Sequence, residues 1–274
     1  RDEFARIPPE AALGPCEAAL NTDAYHPFWH HSAMQVRDAV ERSGIPHSEA
    51  EIMLGTLLRK DRTWILAHPE SELRSREEEH WLEWIARRRR GEPVAFIRGF
   101  TEFFGRMFTV RPGVLIPRPS TEGLVELALE FLRTGERQER AVETGVMSLA
   151  IPYGDVLHVQ TVVDVGTGSG CIAVTIALEC PAYRIIATDA SDDALFLAGD
   201  NAKRHGVTHR IEFRAGSLLK PVADLHQPFI VVANPPYLAL DTPLPSEVRE
   251  FEPPAALFGG HRGDELLHAL LQQA

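Results

Sequence analysis

The sequence predicts an α/β protein in which a small all-α domain and an extended or β-hairpin connector precede a parallel sheet covered by helices. Three observations carry this. After residue 160, apolar runs of strand length alternate with helical patterns, which implies parallel strands with both faces covered. From residue 32 to 91, apolar positions recur at helical spacing. From 92 to 119 the pattern changes to short extended runs broken by glycine. A chain of 274 residues suits one small and one medium domain, and 44% hydrophobic residues supply enough core for both.

Taken in order, residues 1–31 carry Pro8-Pro9, Gly14-Pro15 and His26-Pro27 and no lasting apolar stripe, so they read as a poorly ordered arm. Arg1 in place of Met implies a processed or partial product. In the helical domain, 32–91, Val36 and Val40 share a stripe that Gly44 and Pro46 break. Ser48 reads as the N-cap of the next helix, with Glu51 at the capping-box position. A further helix starts near Ser75, carries Trp81, Leu82 and Ile85 on one face, and ends in Arg87 to Arg90 before Gly91. Acid at its start and base at its end suit the helix dipole; a binding patch is the other reading of those arginines. The connector, 92–119, holds Val94 to Ile97, Phe103 to Val110 and Val114 to Ile116 as extended runs and stops at Pro117-Arg118-Pro119.

The remaining domain, 120–274, opens with a helix capped by Thr121, with Leu124, Leu127, Ala128 and Phe131 on its apolar side. Residues 133–158 read as an insertion with little structure. Strands follow at Thr161–Val165, Arg184–Thr188, Arg210–Arg214 and Phe229–Ala233, with helices at Cys171–Glu179, Asp192–His205 and Asp264–Gln272.

Composition excludes several classes. The apolar runs fall far short of the roughly 20 residues that span a bilayer, so no membrane partner is expected. Cys16, Cys171 and Cys180 form no C-x-x-C pair, which speaks against a disulfide scaffold or a zinc site. With no export leader visible, the reading is cytoplasmic. Lys+Arg 28 against Asp+Glu 39 leaves a net charge of −11, which repels a polyphosphate backbone, so no direct nucleic-acid substrate is expected.

Two motifs carry chemistry. The first strand ends in Asp164-Val165-Gly166-Thr167-Gly168-Ser169-Gly170. Glycines at a strand-to-helix turn let the backbone approach a ligand closely. A pyrophosphate-binding G-x-G-x-x-G would need glycine at 171, where Cys171 stands, and Asp164 before the turn suits a cationic amino group better than phosphates. Asp189 ends the second strand 25 residues after Asp164, where a carboxylate accepts the hydroxyls of a ribose. A ribose, a cation and no phosphate describe S-adenosyl-L-methionine; a structural turn beside a surface aspartate is the alternative.

The fourth strand ends in Asn234-Pro235-Pro236-Tyr237. Two prolines stiffen the backbone and remove two N–H donors, leaving the Asn234 and Pro235 carbonyls as bare acceptors. The Asn234 side-chain oxygen and the Pro235 carbonyl can each take one N–H of an NH₂ group while Tyr237 stacks on its plane. A delocalised nitrogen nucleophile needs its lone pair aimed at the methyl donor, so positioning supplies most of the catalysis, and acceptors favour the charge that develops on nitrogen.

These residues resemble the amino-methyltransferases of adenine, guanine or glutamine nitrogens. Gly91-Glu92-Pro93-Val94-Ala95-Phe96-Ile97-Arg98-Gly99, Glu102-Phe103-Phe104-Gly105, Leu115-Ile116-Pro117-Arg118-Pro119-Ser120-Thr121-Glu122 and Phe251-Glu252-Pro253-Pro254-Ala255-Ala256-Leu257 narrow this. Over residues 32 to 272 the chain resembles the HemK-type (PrmC) protein-(glutamine-N5) methyltransferases of peptide-chain release factors. A related branch modifies a ribosomal protein, and the intact Pro-Arg-Pro-x-Thr-Glu favours the release-factor branch. The resemblance implies a Rossmann-like S-adenosylmethionine-dependent domain and, as substrate, the glutamine of a Gly-Gly-Gln loop.

It also implies that Asp164, Val165, Gly166, Thr167, Gly168, Asp189 and Asn234 border the cofactor. Asn234, Pro235, Pro236 and Tyr237 would meet the substrate amide, with Asn234, Pro235 and Tyr237 as catalytic residues. Phe100, Phe103 and Arg118 would border the active site, unless they merely pack the hairpin. The family usually has an acid after the third strand; here Ser217 and Leu218 stand there, so adenine would be held by backbone groups and stacking. The chain ends one helix after the fourth strand, so a fragment is expected, with an incomplete sheet and the fourth strand at an exposed edge. The protein is expected to act as a monomer. The rival readings are a nucleic-acid amino-methyltransferase and a binding fragment without catalysis.

Overall fold

A computed structural model of the chain describes residues 33–135, the backbone of 149–152, and residues 159–274. The arm at 1–31 and most of the insertion lie outside the described residues. The chain divides into two compact units, one ending at Gly99 and one starting at Phe100.

The first unit is helical: α1 (Val36–Glu41), α2 (His47–Leu58), α3 (Arg62–Ala67), α4 (Ser75–Arg89) and α5 (Val94–Arg98). Val36, Met53, Leu54, Trp81, Trp84 and Ile85 meet in its core. Three expectations change. Pro46, not Ser48, precedes α2, and Glu51 instead pairs with Arg62 at 2.7 Å. On α4 it is Trp84 that turns inward, while Leu82 is 53% exposed. Val94 to Arg98 is a short helix rather than extended chain, because Pro93 starts it, Gly99 at φ 79° ends it, and Phe96 and Ile97 are buried. So short an apolar run has no period of its own to separate strand from helix.

The arginines that end α4 work within this unit. Arg87 binds Glu92 at 2.8 and 2.6 Å, Arg88 binds Glu49 at 2.6 and 3.1 Å, and Arg89 donates to the carbonyls of Ser43 and Arg42. Three of the four thus tie α4 to its neighbours, which favours the structural reading of the run.

The second unit opens with a hairpin of β1 (Phe100–Phe103) and β2 (Arg106–Thr109). Its two-residue turn, Phe104-Gly105, has positive φ at both positions, as tight hairpins require. Glu122 accepts the Phe104 N–H at 2.9 Å and so anchors the turn to α6 (Ser120–Thr134). Then come β3 (Leu149–Pro152), β4 (Thr161–Val165), α7 (Cys171–Glu179), β5 (Arg184–Asp189), α8 (Asp192–Arg204), β6 (Ile211–Ala215) and β7 (Ile230–Ala233). The chain continues through β8 (Leu238–Ala239), α9 (Ser246–Phe251), β9 (Phe258–Gly260) and α10 (Glu265–Gln273).

The main sheet runs β3-β7-β4-β5-β6, with β4 to β7 parallel. Side chains alternate along β4, β5 and β7, and both sets are buried. Val162, Ile185 and Val232 pack under α6 and α7, while Val163, Ile186 and Val231 pack against Leu219, Val222 and Leu270 of α10. The fourth parallel strand, β7, is not an edge: β3 pairs with it antiparallel from Leu149↔Ala233 to Pro152↔Ile230. The insertion therefore contributes a strand where little structure is expected, and it satisfies the backbone groups that β7 would otherwise expose.

Candidate functional site

Parallel strands end on the same side of a sheet, so the turns after β4, β5, β6 and β7 converge. There they enclose a cleft of about 390 Å³, a usual size for a small-molecule site. Val165, Gly166, Thr167, Gly168, Asp189, Ser217, Leu218, Asn234, Pro235, Pro236 and Arg118 all line it.

The glycine turn is built for close approach. Gly166 (φ 72°) and Gly168 (φ 57°) have positive φ. A Cβ at Gly166 would meet no protein atom within 4 Å, and one at Gly168 only Val114, so either would project into space a ligand can use. At Gly170 (φ 81°) the need is packing, since a Cβ would lie 2.9 Å from that of Ala198 on α8. Asn201, fully buried on the same helix, donates to the Ser169 carbonyl at 2.8 Å and bonds both backbone groups of Thr109. The glycine turn is thereby locked to α8 and to the hairpin.

Asp189 accepts the Gly168 N–H through one carboxylate oxygen and the Ser191 N–H through the other, each at 2.9 Å. An ionised carboxylate has about four lone-pair sites, so both oxygens retain capacity for ribose hydroxyls at the lip of the cleft.

Asp164 differs from expectation. It is fully buried beneath the turn and does not line the cleft. Oδ2 accepts from Thr167 Oγ1 at 2.6 Å and from the Ala173 N–H at 3.1 Å, while Oδ1 is buried without a partner. Burial pushes its carboxyl up to about 7, against the pull of those two donors. It braces the turn rather than meeting a cation directly.

Asn234 stands at the end of β7, and its Nδ2 donates to Thr121 Oγ1 at 3.2 Å. Beside it a recess of about 40 Å³ is bordered by Leu115, Arg118, Pro235 and Tyr237, the last 45% exposed. Arg118 is held by Glu252 at 2.5 Å. Below the prolines, Gly259 packs so tightly that an added Cβ would lie 2.5 Å from the Pro236 carbonyl oxygen.

Phe100 and Phe103 are not in the cleft. Both are buried, and Phe103 lies in the core, edge-on to Phe108 at 6.0 Å. Three positions apart on β1, they point to opposite faces of the hairpin, and both are buried there. Thr121, Glu252, Asn201 and Gly259 were not singled out from sequence as site residues. Thr121 and Glu252 sit inside the quoted Pro-Arg-Pro-Ser-Thr-Glu and Phe-Glu-Pro-Pro segments, which is the signal that could have found them.

Fold and cleft define the class: this is a Rossmann-like methyltransferase, and residues 148–244 match the family described as methyltransferase small domain. Residues 34–99 match the PrmC N-terminal domain. The chain is 39% identical over 230 residues to the release factor glutamine methyltransferase of Koribacter versatilis, covering 83% of this chain and 74% of that protein. It is likewise 39% identical over 231 residues to the release factor glutamine methyltransferase of Nitratidesulfovibrio vulgaris, covering 84% and 70%. The chain belongs to the release factor glutamine methyltransferase family.

Proposed function

We propose that this protein transfers a methyl group from S-adenosylmethionine to the side-chain amide nitrogen of the glutamine in the Gly-Gly-Gln loop of a peptide-chain release factor. The observation that carries this is the Asn234 carboxamide, set on a proline-stiffened strand end and sharing one cleft with the glycine turn and Asp189.

The residues fit the cofactor: an open glycine cradle takes its methionine part, Asp189 takes its ribose hydroxyls, and Ser217 and Leu218 border its adenine. When bound, it supplies an electrophilic methyl group on a sulfonium. Asn234 Oδ1 and the Pro235 carbonyl accept the two N–H of the substrate amide, Tyr237 covers its plane from the recess, and Arg118 borders the approach. The acceptors stabilise the positive charge that grows on nitrogen, and the proton leaves after transfer, so no general base is required.

The same geometry would serve an adenine NH₂, but the net charge of −11 disfavours a phosphate-rich partner. The acting unit proposed is the monomer. Among the described residues no helix is long and apolar enough to cross a membrane, and a substrate that works on ribosomes belongs with a cytoplasmic location.

The test is incubation with cofactor labelled on its methyl group and either release factor or DNA. Label is expected on release factor and lost when the loop glutamine is replaced. Asn234→Ala is expected to abolish transfer while cofactor binding persists. Label on DNA alone would refute the assignment.

A further inference from the structure

We infer that the Thr121 hydroxyl is the positioning group that turns the Asn234 carboxamide oxygen toward the substrate; this rests on the proposed role of Asn234 as an acceptor. The two ends of a carboxamide have nearly the same shape but opposite chemistry, one accepting and one donating. If the NH₂ end faced the cleft, Asn234 would present a donor to another donor, leaving both without partners in a desolvated site. The Asn234 Nδ2 donation to Thr121 Oγ1 at 3.2 Å occupies the donor end and leaves Oδ1 as the end available to a ligand.

Thr121 is suited to the task. It is 3% exposed, in the first turn of α6, and its β-branched side chain has few rotamers. Its hydroxyl is not spent on capping: Pro119 occupies the cap position and no side-chain cap bond forms. The backbone around it is held independently of Asn234. The Thr121 N–H bonds the Arg118 carbonyl at 3.0 Å, Arg118 binds Glu252 at 2.5 Å, and Glu122 accepts the Phe104 N–H at 2.9 Å. Thr121 Oγ1 is thus held in place as the acceptor of the Asn234 NH₂. An acceptor set this way favours an amide NH₂ over a carboxylate, so it selects glutamine against glutamate.

Thr121→Val removes the hydroxyl and keeps the shape; Thr121→Ser keeps the hydroxyl. With the full chain, release factor and saturating cofactor, the valine variant is expected to lose about tenfold to a hundredfold in kcat. Its KM for cofactor should hold, and serine should restore most of the rate. In the free protein, the side-chain NH₂ signals of Asn234, assigned by their loss in Asn234→Asp, should move in the valine variant and return in the serine variant. A valine variant with wild-type kcat, unmoved amide signals, or a serine variant as impaired as the valine one would each overturn the inference. If the wild-type protein methylates no release factor, the proposed function fails, and the amide signals still decide the role of Thr121. Should the valine variant not fold, Thr121→Ala carries the same expectations.

Discussion

Arg118 Nη2 donates to Glu252 Oε1 at 2.5 Å, and the other oxygen of that carboxylate, 1% exposed, accepts the Ile116 N–H at 3.2 Å. One buried acid therefore joins the Pro-Arg-Pro segment to the Phe-Glu-Pro-Pro segment and holds the guanidinium beside the recess that Tyr237 borders. Glu252→Gln keeps the shape but loses the charge. Its stability should fall by roughly 1–3 kcal/mol, and KM for release factor should rise while cofactor affinity holds. Urea melts and steady-state kinetics measure both; an unchanged KM would remove Arg118 from the approach path.

Asp164 predicts a pH effect. Its folded carboxyl titrates near 7, whereas in the unfolded chain it titrates near the ordinary value of about 4. Between those values the unfolded state has released a proton that the folded state keeps, so this group's contribution to stability is lost as pH rises from about 4 to 7. Asp164→Asn cannot ionise and should abolish that part of the slope. Urea unfolding of both proteins at pH 5 and pH 8 tests it, and equal differences for the two would contradict the buried, proton-holding carboxyl.

Gly259→Ala forces a methyl group against two backbone oxygens, Pro236 at 2.5 Å and Gly263 at 2.2 Å. Backbone cannot yield as a flexible side chain does, so the prolines beside Asn234 must shift. The expected outcome is a loss of kcat of about a hundredfold, with calorimetry showing the cofactor bound almost as before. Retained turnover would mean that the Asn-Pro-Pro backbone tolerates displacement.

Tyr237 is 45% exposed, so its replacement should leave stability within about 0.5 kcal/mol. If its ring covers the substrate amide, Tyr237→Phe keeps kcat/KM and Tyr237→Ala lowers it. Equal loss in both variants would assign the work to the hydroxyl instead.

Strand β4 and helix α7 have the bounds that their residues alone suggest, Thr161–Val165 and Cys171–Glu179. An apolar run of strand length closed by glycines is a local signal, and so is the stiffness of Pro235-Pro236. The helix at Val94–Arg98 escaped because its four apolar residues have no readable period. Strand β3 escaped because its register is set by β7, about 80 positions away in sequence. The residue types that meet at the cleft were legible: the glycines of the turn, Asp189 and Asn234 all line it. The partners of those groups were not. Phe103 turning into the core and the meetings of Thr121 with Asn234 and Arg118 with Glu252 arise when distant strand ends and loops pack together. Local pattern sets backbone conformation because sterics and period act over a few residues. Which side chain faces which across more than a hundred residues is set by packing, and packing exists only in the folded chain.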